Sequence, residues 1–151
     1  MFRPVRCNNY DPTPYVRKHL PKIEVEGVAL DLGCGNLRNT RFAESLGYTV
    51  WPFDKGGDYG MKLDLGKETI PIKEKVDLIL CNYVMCFLTD QERKHLSKEI
   101  DRTSKPGTYL ILEMYEAKQG VPYNMKDIRS LFGGWKTIHM EKDRFILKKK
   151  S

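Results

Sequence analysis

VALDLGCG, residues 28–35, is a short apolar run that ends in two glycines separated by one residue. An apolar run of this length predicts a buried strand. Glycines directly after a strand predict a tight turn, because a residue without a Cβ adopts backbone angles closed to others. This order is typical of the first strand and turn of an open α/β sheet, in which ligands bind at the carboxyl ends of the strands. The segment therefore predicts both a fold class and the place of a site.

On either side of this segment, apolar runs and helical patterns alternate. We predict strands at 28–32, 48–54, 61–65, 76–81, 109–114, 135–141 and 144–148. We predict helices at 14–20, 38–46, 89–103 and 125–132, and a break at 105–107. Because the strands are continuously apolar, a parallel sheet covered on both faces is favoured. The predicted fold class is α/β: a Rossmann-like, doubly wound, mostly parallel seven-stranded sheet with an antiparallel C-terminal hairpin.

Length and composition are those of one globular domain. The chain has 151 residues, 40% of them hydrophobic and 30% charged, as in folded rather than disordered proteins. We predict a single domain over 1–151, with a proline-rich leader at 1–26 that contains a short helix, and an α/β core at 27–151. No apolar run has the length of a membrane-spanning helix, and no signal-peptide pattern is present. We therefore expect no membrane partner and a cytoplasmic location.

The cysteines and histidines do not form a metal motif. No two of the four cysteines have C-x-x-C spacing, and the chain has only three histidines. A closed zinc site is therefore not expected, and we predict no metal centre. Without a secretion signal, the thiols are expected to be reduced.

The positive charge lies at the two ends of the chain. The net charge is +6, of which residues 1–22 contribute +4 and residues 141–151 contribute +3, which leaves the remainder at −1. This distribution favours solvated termini over a nucleic-acid groove, so RNA is a possible partner that is not favoured. The helix at 89–103 and the residues after it mix acids with five basic residues, which predicts a solvated face: Arg93, Lys94, Lys98, Arg102 and Lys105.

Acidic residues near three strand ends indicate a nucleoside ligand. Asp54 ends the second predicted strand, 21 residues after Gly33, and an acid about 20 residues on commonly binds ribose hydroxyls. Asp64 lies near the end of the third strand, where an acid could meet an adenine amino group. A dinucleotide site prefers glycine where Arg38 stands, and Asp31 would repel a pyrophosphate. An acid at position 31 suits a ligand with a positive amino group, such as S-adenosylmethionine.

Over roughly residues 25–115, the sequence resembles class I S-adenosylmethionine-dependent methyltransferases. Residues 28–36 are similar to the first motif of that family, and residues 76–84 resemble its fourth strand. Lys105-Pro106-Gly107-Thr108 resembles the turn into the fifth strand, with Thr108 in place of a second glycine. Leu37 stands where the family often has a third glycine, from which we expect a slightly wider turn. Residues 84–88 are similar to small methyltransferases of the tellurite-resistance type.

The resemblance implies a cofactor, a reaction and a set of contacts. The cofactor is S-adenosyl-L-methionine, and the reaction is direct in-line transfer of its methyl group to a small-molecule acceptor. The implied contacts are Asp31, Gly33, Cys34 (as a small filler) and Gly35 around the methionine part, Asp54 and Lys55 at the ribose, Asp64 and Leu65 at the adenine, and Asn82 and Tyr83 toward the sulfonium and substrate. No catalytic residue is predicted, because the cofactor is already electrophilic and the protein contributes mainly alignment.

Features outside this pattern narrow the function. The segment Asn82-Tyr83-Val84 lacks the prolines of DNA amino-methyltransferases, and no Pro-Cys nucleophile of the cytosine-C5 type is present, so a DNA substrate is not expected. His19, His95 and His139 are not predicted to take part in catalysis, and His139 is expected to point to solvent. An RNA methyltransferase and a non-catalytic module that binds the cofactor for a partner protein remain alternatives. Three tyrosines are candidate walls of a substrate pocket: Tyr10, Tyr15 and Tyr115.

Overall fold

A computed structural model describes residues 11–115 and 121–151, and a seven-stranded sheet lies at its centre. The strands are β1 (Val28–Leu32), β2 (Thr49–Asp54), β3 (Met61–Lys62), β4 (Val76–Asn82), β5 (Ser104–Glu113), β6 (Trp135–Glu141) and β7 (Arg144–Lys149). The α-helices are α1 (Pro14–His19), α2 (Arg38–Ser45), α3 (Asp90–Thr103) and α4 (Met125–Ser130). Two 3₁₀ turns cover Leu20–Lys22 and Met85–Phe87. No helix in these ranges is long and apolar enough to cross a membrane.

The order of the strands creates a topological switch point. Across the sheet the order is β3-β2-β1-β4-β5-β7-β6, with β1 to β5 parallel and the last two strands antiparallel. The chain moves outward from β1 to β3 and then crosses to β4 on the other side of β1. Ligands of open α/β sheets bind outside the carboxyl ends of the strands at such a point. The predicted fold class is confirmed.

The strand registers bring the carboxyl ends of four strands to one edge. Leu32 at the end of β1 pairs with Phe53 of β2 on one side and with Cys81 of β4 on the other. Asn82 at the end of β4 pairs with Glu113 at the end of β5. Residues that follow these ends therefore share one crevice.

Apolar residues of the strands face both sides of the sheet, and helices cover both. On one face, Leu30 and Leu32 pack in a core cluster with residues of α3 and α4. On the other, Ala29 packs with residues of α1 and α2. This arrangement explains why the central strands β1 and β4 are almost entirely buried and mostly apolar rather than alternating, because both of their faces are covered.

Two element boundaries differ from the sequence prediction by three residues or more. β3 ends at Lys62 instead of residue 65, so Asp64 lies in the loop after the strand. The Lys105-Pro106-Gly107 segment is a bulge within β5, not a break before it, and Gly107 has a φ of +96°. The Thr108 hydroxyl bridges the bulge, since it accepts from the Lys105 N–H at 2.9 Å and donates to the Val76 carbonyl at 2.6 Å. Thr108, where the related family has glycine, thus stabilises this turn.

Part of the leader packs onto the core. Thr13 precedes α1 and Pro14 is its first residue, as predicted, but the Thr13 hydroxyl does not cap the helix. Tyr15, Val16 and Leu20 are buried in the core cluster on the α2 face. Tyr15 lies there rather than in a pocket wall, and Tyr10 lies outside the described residues.

The prediction for His139 is wrong. The register of β6 against β7 shifts between Thr137 and His139, which displaces the alternation of faces. Ile138 and Met140 are therefore 46% and 45% exposed. His139 is turned toward α1 instead, where its Nδ1 lies 2.8 Å from the Tyr15 hydroxyl.

Candidate functional site

The glycine turn after β1 is packed against the start of the loop after β4. Gly33 has a φ of +79°, and a Cβ at this position would come within 2.2 Å of Val84 Cγ2. The N–H groups of Gly33 and Cys34 both donate to the Phe53 carbonyl, at 2.8 and 2.9 Å. Any side chain at position 33 would therefore strain the backbone and displace the β4 loop.

The second half of the turn points a backbone N–H at the end of β2. Gly35 has a φ of +52°, and its N–H donates to Asp54 Oδ2 at 2.7 Å. Leu37 has a φ of +72°, a left-handed conformation that glycine would favour, and its N–H donates to the Cys34 carbonyl at 2.9 Å. The turn thus closes without a third glycine.

Two adjoining cavities open at the carboxyl edge of the sheet. One has a volume of about 320 Å³ and is called the Asp54 cavity; the other has a volume of about 250 Å³ and is called the Asp31 cavity. Gly33, Tyr83 and Phe87 line both, so the cavities meet there. All ten predicted cofactor-binding residues lie on one cavity or both: Asp31, Gly33, Cys34, Gly35, Asp54, Lys55, Asp64, Leu65, Asn82 and Tyr83.

The Asp54 cavity combines carboxylates with an apolar wall. Asp54 Oδ1 accepts from the Gly56 N–H at 3.1 Å, and Asp64 Oδ1 accepts from the Gly66 N–H at 3.1 Å. Loop N–H groups therefore fix both carboxylates. Leu65 is buried beside them. Carboxylate acceptors next to apolar surface suit a ligand that has hydroxyl or amino donors on an aromatic base.

The Asp31 cavity holds a buried carboxylate and an arginine. Asp31 is 1% exposed, and Thr40 Oγ1 donates to its Oδ2 at 2.5 Å. Burial raises the pKa of Asp31 to about 6, and the charge of Asp54 adds to that shift, whereas the Thr40 hydrogen bond opposes it. Arg38 lines the same cavity. A carboxylate and a guanidinium on one cavity can pair with the ammonium and the carboxylate of an amino acid.

Glu113, at the end of β5, connects four elements beside this cavity. Its side chain is fully buried. Oε2 accepts from the Thr13 hydroxyl and from Asn82 Nδ2, each at 2.6 Å. Oε1 accepts from the Tyr83 hydroxyl at 3.1 Å and from Arg144 Nη1 at 3.0 Å. The charge of Glu113 is thus paired with Arg144, and the same carboxylate orients the two predicted residues after β4.

Asn82 retains one unused acceptor. The residue is 7% exposed, and its Nδ2 is engaged by Glu113, which leaves Oδ1 buried without a hydrogen-bond partner in the described part of the chain. A buried polar atom without a partner is costly, at roughly 1–3 kcal/mol. Because Asn82 lines the Asp31 cavity, this unsatisfied acceptor belongs to a residue of the candidate site.

Three aromatic residues surround the junction of the two cavities. Tyr83 has a φ of +62° and stacks on Tyr115 with ring centroids 4.4 Å apart. Phe87 meets Tyr115 edge-on at 5.7 Å and is 53% exposed. Burial raises the pKa of Tyr83 to about 12, with a further contribution from the charge of Glu113, so Tyr83 is a hydrogen-bond donor rather than a base at neutral pH.

Comparison with known families decides the relationship of this chain. The family model described as tellurite resistance protein TehB matches residues 9–149. The chain belongs to the TehB family. The resemblance to class I S-adenosylmethionine-dependent methyltransferases is therefore confirmed. None of the curated protein sequences matches the chain.

Solved structures of low sequence identity share the fold. A TehB-like SAM-dependent methyltransferase from Corynebacterium glutamicum has a TM-score of 0.73 at 16% identity, over 98% of this chain and 100% of that chain. TehB from Haemophilus influenzae has a TM-score of 0.71 at 17% identity, over 87% of this chain and 60% of that chain. The 1,6-didemethyltoxoflavin-N1-methyltransferase from Burkholderia thailandensis has a TM-score of 0.75 at 11% identity, over 92% and 78%.

The thiols near the site of this TehB-family chain are not activated. Burial raises the pKa of Cys34 to about 12, and the charges of Asp31 and Asp54 add to the shift. Burial also raises the pKa of Cys81 and of Cys86. All three described cysteines are free and buried. Because the thiolate is the reactive form, none of them is a nucleophile at neutral pH.

A larger cavity lies apart from the strand ends. It has a volume of about 550 Å³ and lies between α3 and α4. Its Arg93 is 3% exposed and donates to the carbonyls of Met85, Val121 and Pro122. Arg93 therefore has a structural role, and the prediction that it belongs to a solvated face is wrong. We place the candidate site in the two smaller cavities, because they lie at the switch point.

Several residues of the site were not predicted. In the sequence analysis, Arg38 served only as evidence against a dinucleotide ligand. In the structure it lies at the start of α2 and lines the Asp31 cavity. Glu113 directly follows the apolar run Leu110-Ile111-Leu112 in β5, and that contrast was the available signal. The contact of Thr13 with Glu113 joins residues 100 positions apart, and no local pattern reveals it.

Proposed function

We propose that this chain is an S-adenosylmethionine-dependent methyltransferase that transfers a methyl group to a small-molecule acceptor by direct in-line displacement. The observation that carries the proposal is the arrangement of three carboxylates around two joined cavities at the switch point. Asp31 lies on one cavity, and Asp54 and Asp64 lie on the other. Membership of the TehB family supports the same function.

The residues present fit each part of this cofactor. Asp54 and Asp64 would accept from the ribose hydroxyls and the adenine amino group, next to Leu65. Asp31 would pair with the ammonium of the methionine part, and Arg38 with its carboxylate. The unused Oδ1 of Asn82 adds an acceptor on the same cavity. When bound, the cofactor supplies an electrophilic methyl group.

The contribution of the protein is alignment and exclusion of water. Glu113 fixes Asn82 and Tyr83, and Tyr83, Phe87 and Tyr115 form an aromatic rim at the junction of the cavities. Such alignment accounts for up to about 7–11 kcal/mol of a barrier in well-oriented systems. No histidine lines either cavity within the described ranges, and Tyr83 keeps its proton. The site therefore suits an acceptor that is already unprotonated, such as an anion or a neutral amine.

A small acceptor is favoured over RNA. Three of the five basic residues of α3 and its C-terminal end are used within the chain: Arg93 on carbonyls, Arg102 on Glu99 at 2.9 Å, and Lys105 on Asp77 at 3.0 Å. The Burkholderia protein is named as an N1-methyltransferase of 1,6-didemethyltoxoflavin, and the family name refers to tellurite resistance. The cytoplasmic location stays a prediction.

S-adenosylhomocysteine is the product common to every acceptor, so its formation tests the proposal whichever acceptor is methylated. The full chain is incubated with S-adenosylmethionine in three separate mixtures. The first also contains a low-molecular-weight cell extract, the second a panel of oxyanions that includes tellurite, and the third total RNA. We expect acceptor-dependent product with the extract or the panel, and at least a tenfold loss in Asn82→Ala. Product only with RNA would support the alternative substrate. Cofactor binding without product in any mixture would support a non-catalytic binding module.

A further inference from the structure

α1 and β6 bring together three metal-ligating side chains, none of which lines either cavity of the candidate site. One ligand atom each from His19, His139 and Glu141 lies within 4.8 Å of the other two. The imidazole rings of His19 and His139 have centroids 4.5 Å apart, and His139 Nε2 lies 3.8 Å from Glu141 Oε1. Because the two histidines are 120 positions apart in the sequence, spacing does not reveal this cluster.

His19 presents a buried nitrogen without a partner. Its Nε2 is one of two buried side-chain polar atoms in the described ranges that have no hydrogen-bond partner, and the other is Asn82 Oδ1 at the candidate site. An unsatisfied buried nitrogen destabilises the folded chain. A ligand that accepts the lone pair of this nitrogen would remove that cost, and a metal ion is such a ligand.

His139 is already oriented as metal-bound histidines are. Its Nδ1 lies 2.8 Å from the hydroxyl of Tyr15, and Tyr15 itself is 4% exposed. Metal-ligating histidines commonly use their second nitrogen in a hydrogen bond that fixes the ring and its tautomer. In the tautomer in which Nδ1 carries the proton and donates to the Tyr15 oxygen, the lone pair of His139 is on Nε2, on the side of Glu141.

We propose that His19, His139 and Glu141 form a site for a divalent cation of the zinc class, with Tyr15 as the residue that orients His139. Two imidazoles and a carboxylate are ligands that zinc and its late first-row neighbours bind well. Ligand atoms of a tetrahedral zinc ion lie about 3.3 Å apart, so Glu141, whose side chain is 47% exposed, closes the site by a rotamer change. The fourth position is left for water.

The cation would join the leader helix to the edge of the sheet. His19 ends α1, whereas His139 and Glu141 belong to β6, the outermost strand. An ion held by both elements would stabilise the docking of α1 against the sheet. This role does not depend on the proposed methyltransferase function. The proposed site differs from our prediction of no metal centre, which rested on the cysteine spacing and on the presence of only three histidines.

Calorimetric titration of Zn²⁺ into the tag-free, metal-stripped full chain under reducing conditions tests the site. We expect one equivalent of zinc to bind, with at least a tenfold lower affinity in His19→Ala and in His139→Ala. Tyr15→Phe should lower the affinity by about 10–100-fold, as expected for loss of such a hydrogen bond. The matched control is His95→Ala, which removes the histidine outside the cluster and should leave the affinity unchanged.

Two further measurements keep the test decisive. Co²⁺ in place of zinc should give a spectrum without thiolate charge-transfer bands, since no cysteine belongs to the cluster. Glu141→Gln should also lower zinc affinity. Because Glu141 is exposed, this variant should fold even if a histidine variant does not. Absence of zinc binding, unchanged affinity in the folded cluster variants, or thiolate bands with Co²⁺ would each overturn the proposal.

Discussion

Asp31 combines complete burial with a charge that the proposed function needs. Burial raises its pKa in the folded chain to about 6, whereas an aspartate in an unfolded chain titrates near about 3.9. The folded state therefore holds the Asp31 proton more tightly than the unfolded state. The stability contributed by this proton is complete below about pH 4 and is lost as the pH rises through about 6. Above that range, ionised Asp31 costs about 3 kcal/mol.

Asp31→Asn should therefore stabilise the chain at alkaline pH. We expect the free energy of unfolding at pH 8 to exceed that of the unaltered chain by up to about 3 kcal/mol, with no difference below pH 4. Urea denaturation at pH 4, 6 and 8 measures this. A variant that is less stable than the unaltered chain at pH 8 would show that the carboxylate contributes net stabilising contacts.

The same carboxyl predicts a pH dependence of cofactor binding. Only ionised Asp31 pairs with an ammonium group, so binding releases a proton below the pKa of Asp31. We expect the affinity for S-adenosylmethionine to fall about tenfold for each pH unit below about 6. Calorimetry between pH 5 and 8 measures the slope. Asp31→Asn should bind weakly with no such slope, and a slope that persists in this variant would assign the proton to another group.

Gly33 allows the close approach of the turn to the β4 loop. Gly33→Ala adds a Cβ within 2.2 Å of Val84 Cγ2 at a φ of +79°, so we expect a loss of at least about 1–3 kcal/mol in the free energy of unfolding. Gly47→Ala is the matched control, since Gly47 has a φ of +104° with no atom within 4 Å. It should show the backbone strain alone. Equal losses in both variants would mean that the contact with Val84 has no energetic role.

At the scale of the elements, Glu113 of β5 joins its own strand to β4, to β7 and to the start of α1. Glu113→Gln leaves the Arg144 guanidinium without its buried partner charge, and breaking such a pair costs roughly 3–5 kcal/mol. We expect a loss toward the lower end, because the Arg144 side chain is 22% exposed and keeps its ion pair with Asp143 at 2.9 Å. Thermal and urea unfolding measure it.

The matched control for Glu113 is Glu24→Gln, at an exposed position outside the site, which should change stability by less than about 0.5 kcal/mol. Replacing Arg144 by Gln as well should restore part of the loss, because the guanidinium that lacks Glu113 is then removed; the restoration is partial because Asp143 loses its own ion pair with Arg144 at 2.9 Å. If the losses of Glu113→Gln and Arg144→Gln simply add in the double variant, the two residues are not coupled, and this prediction is contradicted.

The secondary structure could be predicted where the periodicity is local. Thr89 and Glu92 have the spacing of a capping box, which is typical of a helix start, and the structure has both of its hydrogen bonds at the start of α3. Two of the predictions that differed involve bulges, in β5 at Gly107 and in β6 before His139. A bulge adds a residue that reverses the alternation of side chains. Its position depends on pairing with a neighbouring strand, and the sequence of one strand does not contain that information.

For the molecule as a whole, the candidate site follows from topology. Successive strands of a parallel sheet end at one edge, so Asp31, Asp54 and Asn82 could be placed together from the order of strands alone. The residues that were missed belong to contacts across the fold. Glu113 with Arg144, and the pairing of α1 with β6, depend on how the leader and the terminal hairpin dock, which no local pattern encodes.

The most direct test of the assigned site is calorimetric titration of S-adenosylmethionine, and separately of NAD, into the full chain at pH 8. We expect one equivalent of S-adenosylmethionine to bind and no response to NAD. Asp54→Ala should weaken binding at least tenfold, whereas Asp58→Ala, an exposed acid of the same loop that lies on neither cavity, should bind as the unaltered chain does. Tight binding of NAD with no response to S-adenosylmethionine, or equal effects of the two variants, would contradict the assignment of the site.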